Sequence, residues 1–242
     1  MTTPTTSAST VVTIRRRVRG FTVPMVRGRY GDGMQELRLF AIGINDVRDI
    51  FGADAPLAAR LRDSAARHFA APPHPRSLLS KLGPVFSRHP QSEVDPQNPL
   101  RSDVDALLAG GHIPVERLVQ CWQVLLAWLG DLSAQSLDIT LDGLEALEFD
   151  LALAGLPSDF SVRRLASREL GTPLRPLPHQ VVGYSKHQHV VETYTELRQV
   201  HDDAGPGFAT TMHAIEPLMG LLGGIAARPA AMLDLVVVQI PG

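Results

Sequence analysis

Apolar and polar positions alternate along residues 11–19. Val12, Ile14 and Val18 share one side of an extended chain and Arg15, Arg17 and Arg19 the other, with Arg16 out of step. Patterning of period two predicts a β-strand. The charged side suits a sheet edge, where charge discourages pairing with other chains. Residues 21–27 read as a further strand. The stretch GRYGDG, 28–33, is a turn, because Asp32-Gly33 supplies the positive φ of a hairpin. Over 36–44, Leu37, Leu39 and Ala41 fall on one face and Phe40 and Ile42 on the other, so this strand is buried on both sides. Short strands at 180–184 and 233–240 complete the set.

Helical spacing governs most of the remainder. Asn45 caps a short helix carrying Val47, Ile50 and Phe51. Pro56 lies in the first turn of another, with Leu57, Leu61, Ala65 and either His68 or Phe69 inward. Ser102 and Asp105 give an S-x-x-D start to a helix that Gly110-Gly111 stops. Pro114 opens a strongly apolar one through Val115, Leu118, Trp122, Leu125, Leu126 and Leu129. Thr140 caps the next, which sets Leu144, Leu147 and Leu151 on one side and Asp142, Glu145 and Glu148 on the other. A helix over 162–170 ends at Gly171. The last helix starts near Phe208 and carries Met212, Ile215, Met219, Leu222 and Ile225. Pro217 removes a hydrogen bond within it and should kink it, while Gly220, Gly223 and Gly224 allow close helix packing. The Pro-rich stretch 72–99 reads as a surface loop or linker. Together these elements predict a disordered tail at 1–10 and a single α+β domain over 11–242, a small, mostly antiparallel sheet with helices packed on it.

Charge changes this picture where it clusters. The chain is nearly neutral, at −2, but residues 1–38 hold seven arginines against Asp32 and Glu36. Residues 131–159 hold seven acidic residues and no Lys or Arg. The acidic stretch reads as a solvent face available to a protein partner. The basic run at Arg15–Arg19 lacks interleaved aromatics, which argues against nucleic-acid binding. Cys121 is the one cysteine, so neither an intrachain disulfide nor a cysteine zinc site can form. It lies among apolar positions and reads as a small core residue. The opening MTTPTTSAST has no apolar core region, and the longest apolar run, at 217–227, is shorter than a membrane span. These features fit a cytoplasmic protein with no membrane partner.

Candidate chemistry concentrates in GYSKHQHVVETYTELRQV, residues 183–200. On a strand His187 and His189 would share a side and could share a metal; on a helix they lie about 200° apart. Ser185 followed by Gln188 forms a capping box, and Val190, Tyr194 and Leu197 repeat at helical spacing, so the helix reading prevails and no metal or other cofactor is expected. That helix carries Lys186, His187 and His189 at its start, where the backbone already bears about half a positive charge. An anion bound by Tyr184, Ser185, Lys186, His187 and His189 would remove the conflict, with His187 or His189 as proton carrier. Alternatively, Lys186 pairs with an acidic group elsewhere in the fold. Hydrolase, metalloprotease and phosphate-loop motifs are absent from the sequence.

The stretches LRLFAIGINDVRDIFG, WQVLLAWLG and LPHQVVGYSKHQHVVETYTEL, with the closing LDLVVVQI, resemble the YfbM-like group of uncharacterised bacterial proteins and their actinobacterial relatives, over about 36–240. The resemblance implies a small α+β domain with no established activity, of a kind that includes immunity or partner-binding proteins. The sequence therefore leads first to a non-catalytic interaction protein. It would use the acidic face (Asp142, Glu145, Glu148) or the helix start at 183–192. The second reading is an enzyme or sensor holding an anionic small molecule at that helix start.

Overall fold

The computed structural model describes residues 12–15, 35–70, 97–141 and 143–241, with the backbone alone for 12–15 and 241. The expected tail at 1–10, the strand at 21–27, the turn at 28–33 and most of the 72–99 stretch lie outside the described residues.

Among the described residues, five strands form one sheet: β1 (Val12–Arg15), β2 (Gln35–Ala41), β3 (Gln135–Leu141), β4 (Val181–Ser185) and β5 (Leu235–Pro241). Their order is β1-β3-β2-β5-β4, and every neighbouring pair is antiparallel. The helices are α1 (Ile44–Arg48), α2 (Ala55–His68), α3 (Arg101–Leu108), α4 (Leu118–Leu132), α5 (Leu144–Leu153), α6 (His187–Asp203) and α7 (Ala209–Ala226). No described helix is long and apolar enough to cross a membrane. The architecture is α+β.

Two cores share the sheet. Phe40, Val236 and Val238 pack with α1–α4 on one face. Leu37, Leu39, Ala41, Leu235 and Val237 pack with α5–α7 on the other. The two-sided burial expected of the second strand is present, because β2 and β5 are interior strands with helices above and below. Burying one leucine such as Leu39 favours the fold by about 1.5–3 kcal/mol. On α4, Trp122 and Trp128 are both buried, and their indole N–H groups donate to the carbonyls of Arg175 and Leu61, each at 2.8 Å. A buried indole without such a partner would cost stability.

Several elements differ from the sequence reading. The largest difference is β3, which was expected to be part of an acidic solvent segment leading to a helix cap at Thr140. It is the strand between β1 and β2, and its Ile139 and Leu141 are buried. Asp138 hides the alternation of Leu137, Ile139 and Leu141. In the sheet Asp138 sits opposite Arg38 of β2 and Arg15 of β1. Opposite charges in register across strands stabilise a sheet.

Helix starts also move. The residue before α1 is Gly43, not Asn45, and α3 begins at Arg101, with the Asp103 carboxylate accepting from the Leu100 N–H at 2.6 Å. The expected 162–170 helix is a tight 3-10 turn at Val162–Ala166. In contrast, α7 runs through Pro217 to Ala226, and a Cβ on Gly223 would meet the Tyr194 ring of α6 at 3.1 Å. That glycine does permit close helix packing.

Candidate functional site: the start of helix α6 and the face of α5

The strand β4 ends at Ser185 and α6 begins at His187, with Lys186 as the flanking residue in extended conformation. The expected capping box does not form. Ser185 lies one residue too early and belongs to the sheet; its hydroxyl donates to the Leu165 carbonyl at 3.0 Å. Gln188 pairs with Glu192 at 2.9 Å instead of reaching back.

Asp234, just before β5, takes the place of the cap. One carboxylate oxygen accepts from the His187 backbone N–H at 2.9 Å. The other accepts from the Ile44 backbone N–H, the first of α1, at 3.0 Å and from Lys186 Nζ at 3.3 Å. Its backbone carbonyl accepts from Ile42 N–H at 3.0 Å. Asp234 is buried. One carboxylate thus caps two helices, and the cationic crowding at α6 is answered from within the molecule. This corrects the expectation of an open anion site there.

The residues expected to form that site separate. Tyr184 and Lys186 stay together, with Lys186 Nζ 5.5 Å from the ring centroid and the Arg48 guanidinium 5.9 Å from it, both cation–π contacts. His187 donates from Nδ1 to the Leu233 carbonyl at 3.1 Å. His189 stacks on Phe160 with ring centroids 5.7 Å apart. The two histidines therefore serve different neighbours, as helical spacing requires. No group of three or more potential metal ligands occurs among the described residues.

Sequence reasoning missed a second cluster. Ser64, His68 and Asp131 meet between α2 and α4. The Ser64 hydroxyl donates to Asp131 at 2.6 Å, and His68 Nε2 lies 3.1 Å from both carboxylate oxygens. The residue types are those of a hydrolase triad, but the order is wrong. The carboxylate stands between serine and histidine, so the imidazole cannot take the serine proton. Burial tends to raise the Asp131 carboxyl, but hydrogen bonds from Ser64 and His68, with the charges of His68 and Arg67, outweigh it and leave it below the ordinary value. The cluster braces two helices. The spacing of Ser64 and His68, one turn apart on α2, is the signal that could have revealed it. Cys121 on α4 is buried, and burial pushes its thiol up to about 11, the opposite of an activated nucleophile.

The acidic face is also changed. Asp142 lies outside the described residues. Glu148 accepts from the Arg163 backbone N–H at 2.8 Å, Glu145 pairs with the Arg163 side chain at 3.3 Å, and Asp150 accepts from the Thr211 hydroxyl at 2.9 Å. Leu144, Leu147 and Leu151 point inward as expected. Beside the exposed Glu145, α5 also shows to solvent Phe149, 64% exposed, and Leu153, 61% exposed, one turn apart. Ala146 and Ala152 are exposed on the same helix. Helix α5 is therefore apolar on two sides.

No family model, curated protein or solved structure matches this chain.

Proposed function

We propose that the protein is a non-catalytic interaction protein, of immunity or regulatory type, whose protein partner docks on the outward face of α5. The observation that carries this reading is the exposed pair Phe149 and Leu153 on a helix whose other side is already packed. Single apolar residues at a surface need no explanation. Adjacent ones on one helix form a contiguous patch, and such patches favour association. Glu145, whose side chain is 86% exposed, stands on the same helix. An amphipathic partner segment with basic flanks complements that combination of apolar centre and acidic border. The helix start at 183–192 is not part of this reading, since Asp234 occupies the position an outside anion would take.

The test compares capture by the wild-type chain with capture by a Phe149→Asp, Leu153→Asp variant, read by mass spectrometry and then by titration of the captured partner. Because both side chains are exposed, the variant should keep its fold. Binding should weaken by about 2 kcal/mol or more, roughly thirtyfold, as for hot-spot residues. A partner that binds both forms equally would remove α5 from the account.

A further inference from the structure

Strand β4 ends the described sheet on one side, and residues 168–170 run along its outer edge. Arg168 and Tyr184 form an antiparallel bridge there, with the Tyr184 N–H donating to the Arg168 carbonyl at 2.9 Å. Directly opposed residues on antiparallel chains carry their side chains on one face, about 4.5–5.5 Å apart at Cβ. Arg168 therefore leaves the backbone on the same face as Tyr184, and it is exposed.

Arg48, in the last turn of α1, lies over that face. Its Nε donates to the Leu170 carbonyl at 2.9 Å, and its guanidinium carbon is 5.9 Å from the Tyr184 ring centroid. Gly171, at positive φ, passes beneath it: a Cβ there would stand 3.4 Å from Arg48 Nη2. A backbone acceptor and an aromatic face thus hold this guanidinium in place, while Arg48 as a whole remains exposed. Such an arginine has already lost the side-chain freedom that binding a ligand would otherwise cost. Among the described residues neither Arg48 nor Arg168 forms an ion pair. Asp46 turns back over Gly43 at the start of α1, and Asp49, the C-cap of α1, pairs with neither arginine. Lys186 Nζ lies 5.5 Å from the same ring, but Asp234 answers its charge at 3.3 Å.

We propose that Arg48 and Arg168 clamp a phosphoryl group at the Tyr184 edge of β4. Arginine presents planar pairs of N–H donors that match phosphate oxygens in bidentate contacts. A phosphate monoester carries a charge of about −1.5 to −2 at pH 7. Two uncompensated cations balance that charge, whereas a carboxylate would leave one of them unmatched. The start of α6 takes no part, because Asp234 already accepts from its first N–H. The inference does not rest on the docking reading, since it uses no residue of α5.

The experiment titrates phenyl phosphate, inorganic phosphate and benzoate into the full chain, read by calorimetry and by NMR of the arginine Nε–Hε groups. Phenyl phosphate should saturate at one per chain, shift the Arg48 signal and bind roughly fivefold more tightly than benzoate. Tighter binding of phenyl phosphate than of inorganic phosphate would make an ester the source of the group, and the reverse would make it the free ion; both support the clamp. Arg168→Gln, an exposed change that should keep the fold, is expected to weaken phosphate and ester roughly tenfold. Arg198→Gln, in α6 beside Asp202, should leave both unchanged. Absence of saturable binding, benzoate bound as tightly as phenyl phosphate, no loss in Arg168→Gln, or an equal loss in Arg198→Gln would overturn the proposal.

Discussion

Asp234 holds three donors from three places in the chain: the first turn of α1, the first turn of α6 and the side chain of Lys186. Its removal leaves one buried helix start, at Ile44, and one half-buried start, at His187, without an acceptor. Asp234→Ala should therefore destabilise the fold by about 2–4 kcal/mol, the sum expected for a lost cap and an unsatisfied buried donor. Lys186→Ala should cost no more than about 1 kcal/mol, because the lysine is partly exposed and its partner keeps both backbone donors. Urea denaturation of the two variants measures the contrast. Asp131 gives a pH signature. Its folded carboxyl lies below the ordinary value, so its contribution to stability is complete above that value and is lost as pH falls through the lower folded one. Wild-type stability should decline below about pH 4, and Asp131→Asn should decline less steeply; parallel curves would deny the cluster its bracing role.

At the scale of elements, β4 depends on a residue with no side chain. A Cβ on Gly183 would collide with the Ala166 backbone of the 3-10 turn that packs across the strand. Gly183→Ala should cost about 1–3 kcal/mol by overpacking. Gly205→Ala, in open space at negative φ, should be neutral or stabilising by up to about 1 kcal/mol. Thermal unfolding of the pair distinguishes a steric requirement from a general intolerance of substitution. The elements that were legible in the sequence are those whose pattern is local and undisturbed. The two-faced β2, the Trp122–Leu129 stripe of α4 and the Leu144, Leu147 and Leu151 side of α5 belong here. Strand β3 was not legible, because Asp138 gains its partners only when β1 and β2 flank it. The cap of α6 was not legible for a related reason: its acceptor lies 47 residues from His187, so a local rule nominated Ser185 and Gln188 instead. On α5 the sequence reading assigned the outer side to its charges, and Phe149 and Leu153 were passed over.

In the molecule as a whole, each cluster of charge suggested by the sequence is partly consumed by the fold. The cations at α6 answer Asp234, Arg38 of β2 faces Asp138 across the strands, and the acids of α5 hold Arg163 and Thr211. What remains outward on α5 is the apolar pair Phe149 and Leu153 beside the exposed Glu145, and a protein partner is the occupant that the proposed function requires. The most direct measurement is site-specific photo-crosslinking of the full chain in its own cell extract, with the photoreactive residue at Phe149 in one sample and at Lys186 in another. The account predicts a discrete crosslinked partner from Phe149 and none from Lys186. A partner trapped from Lys186 but not from Phe149 would contradict it.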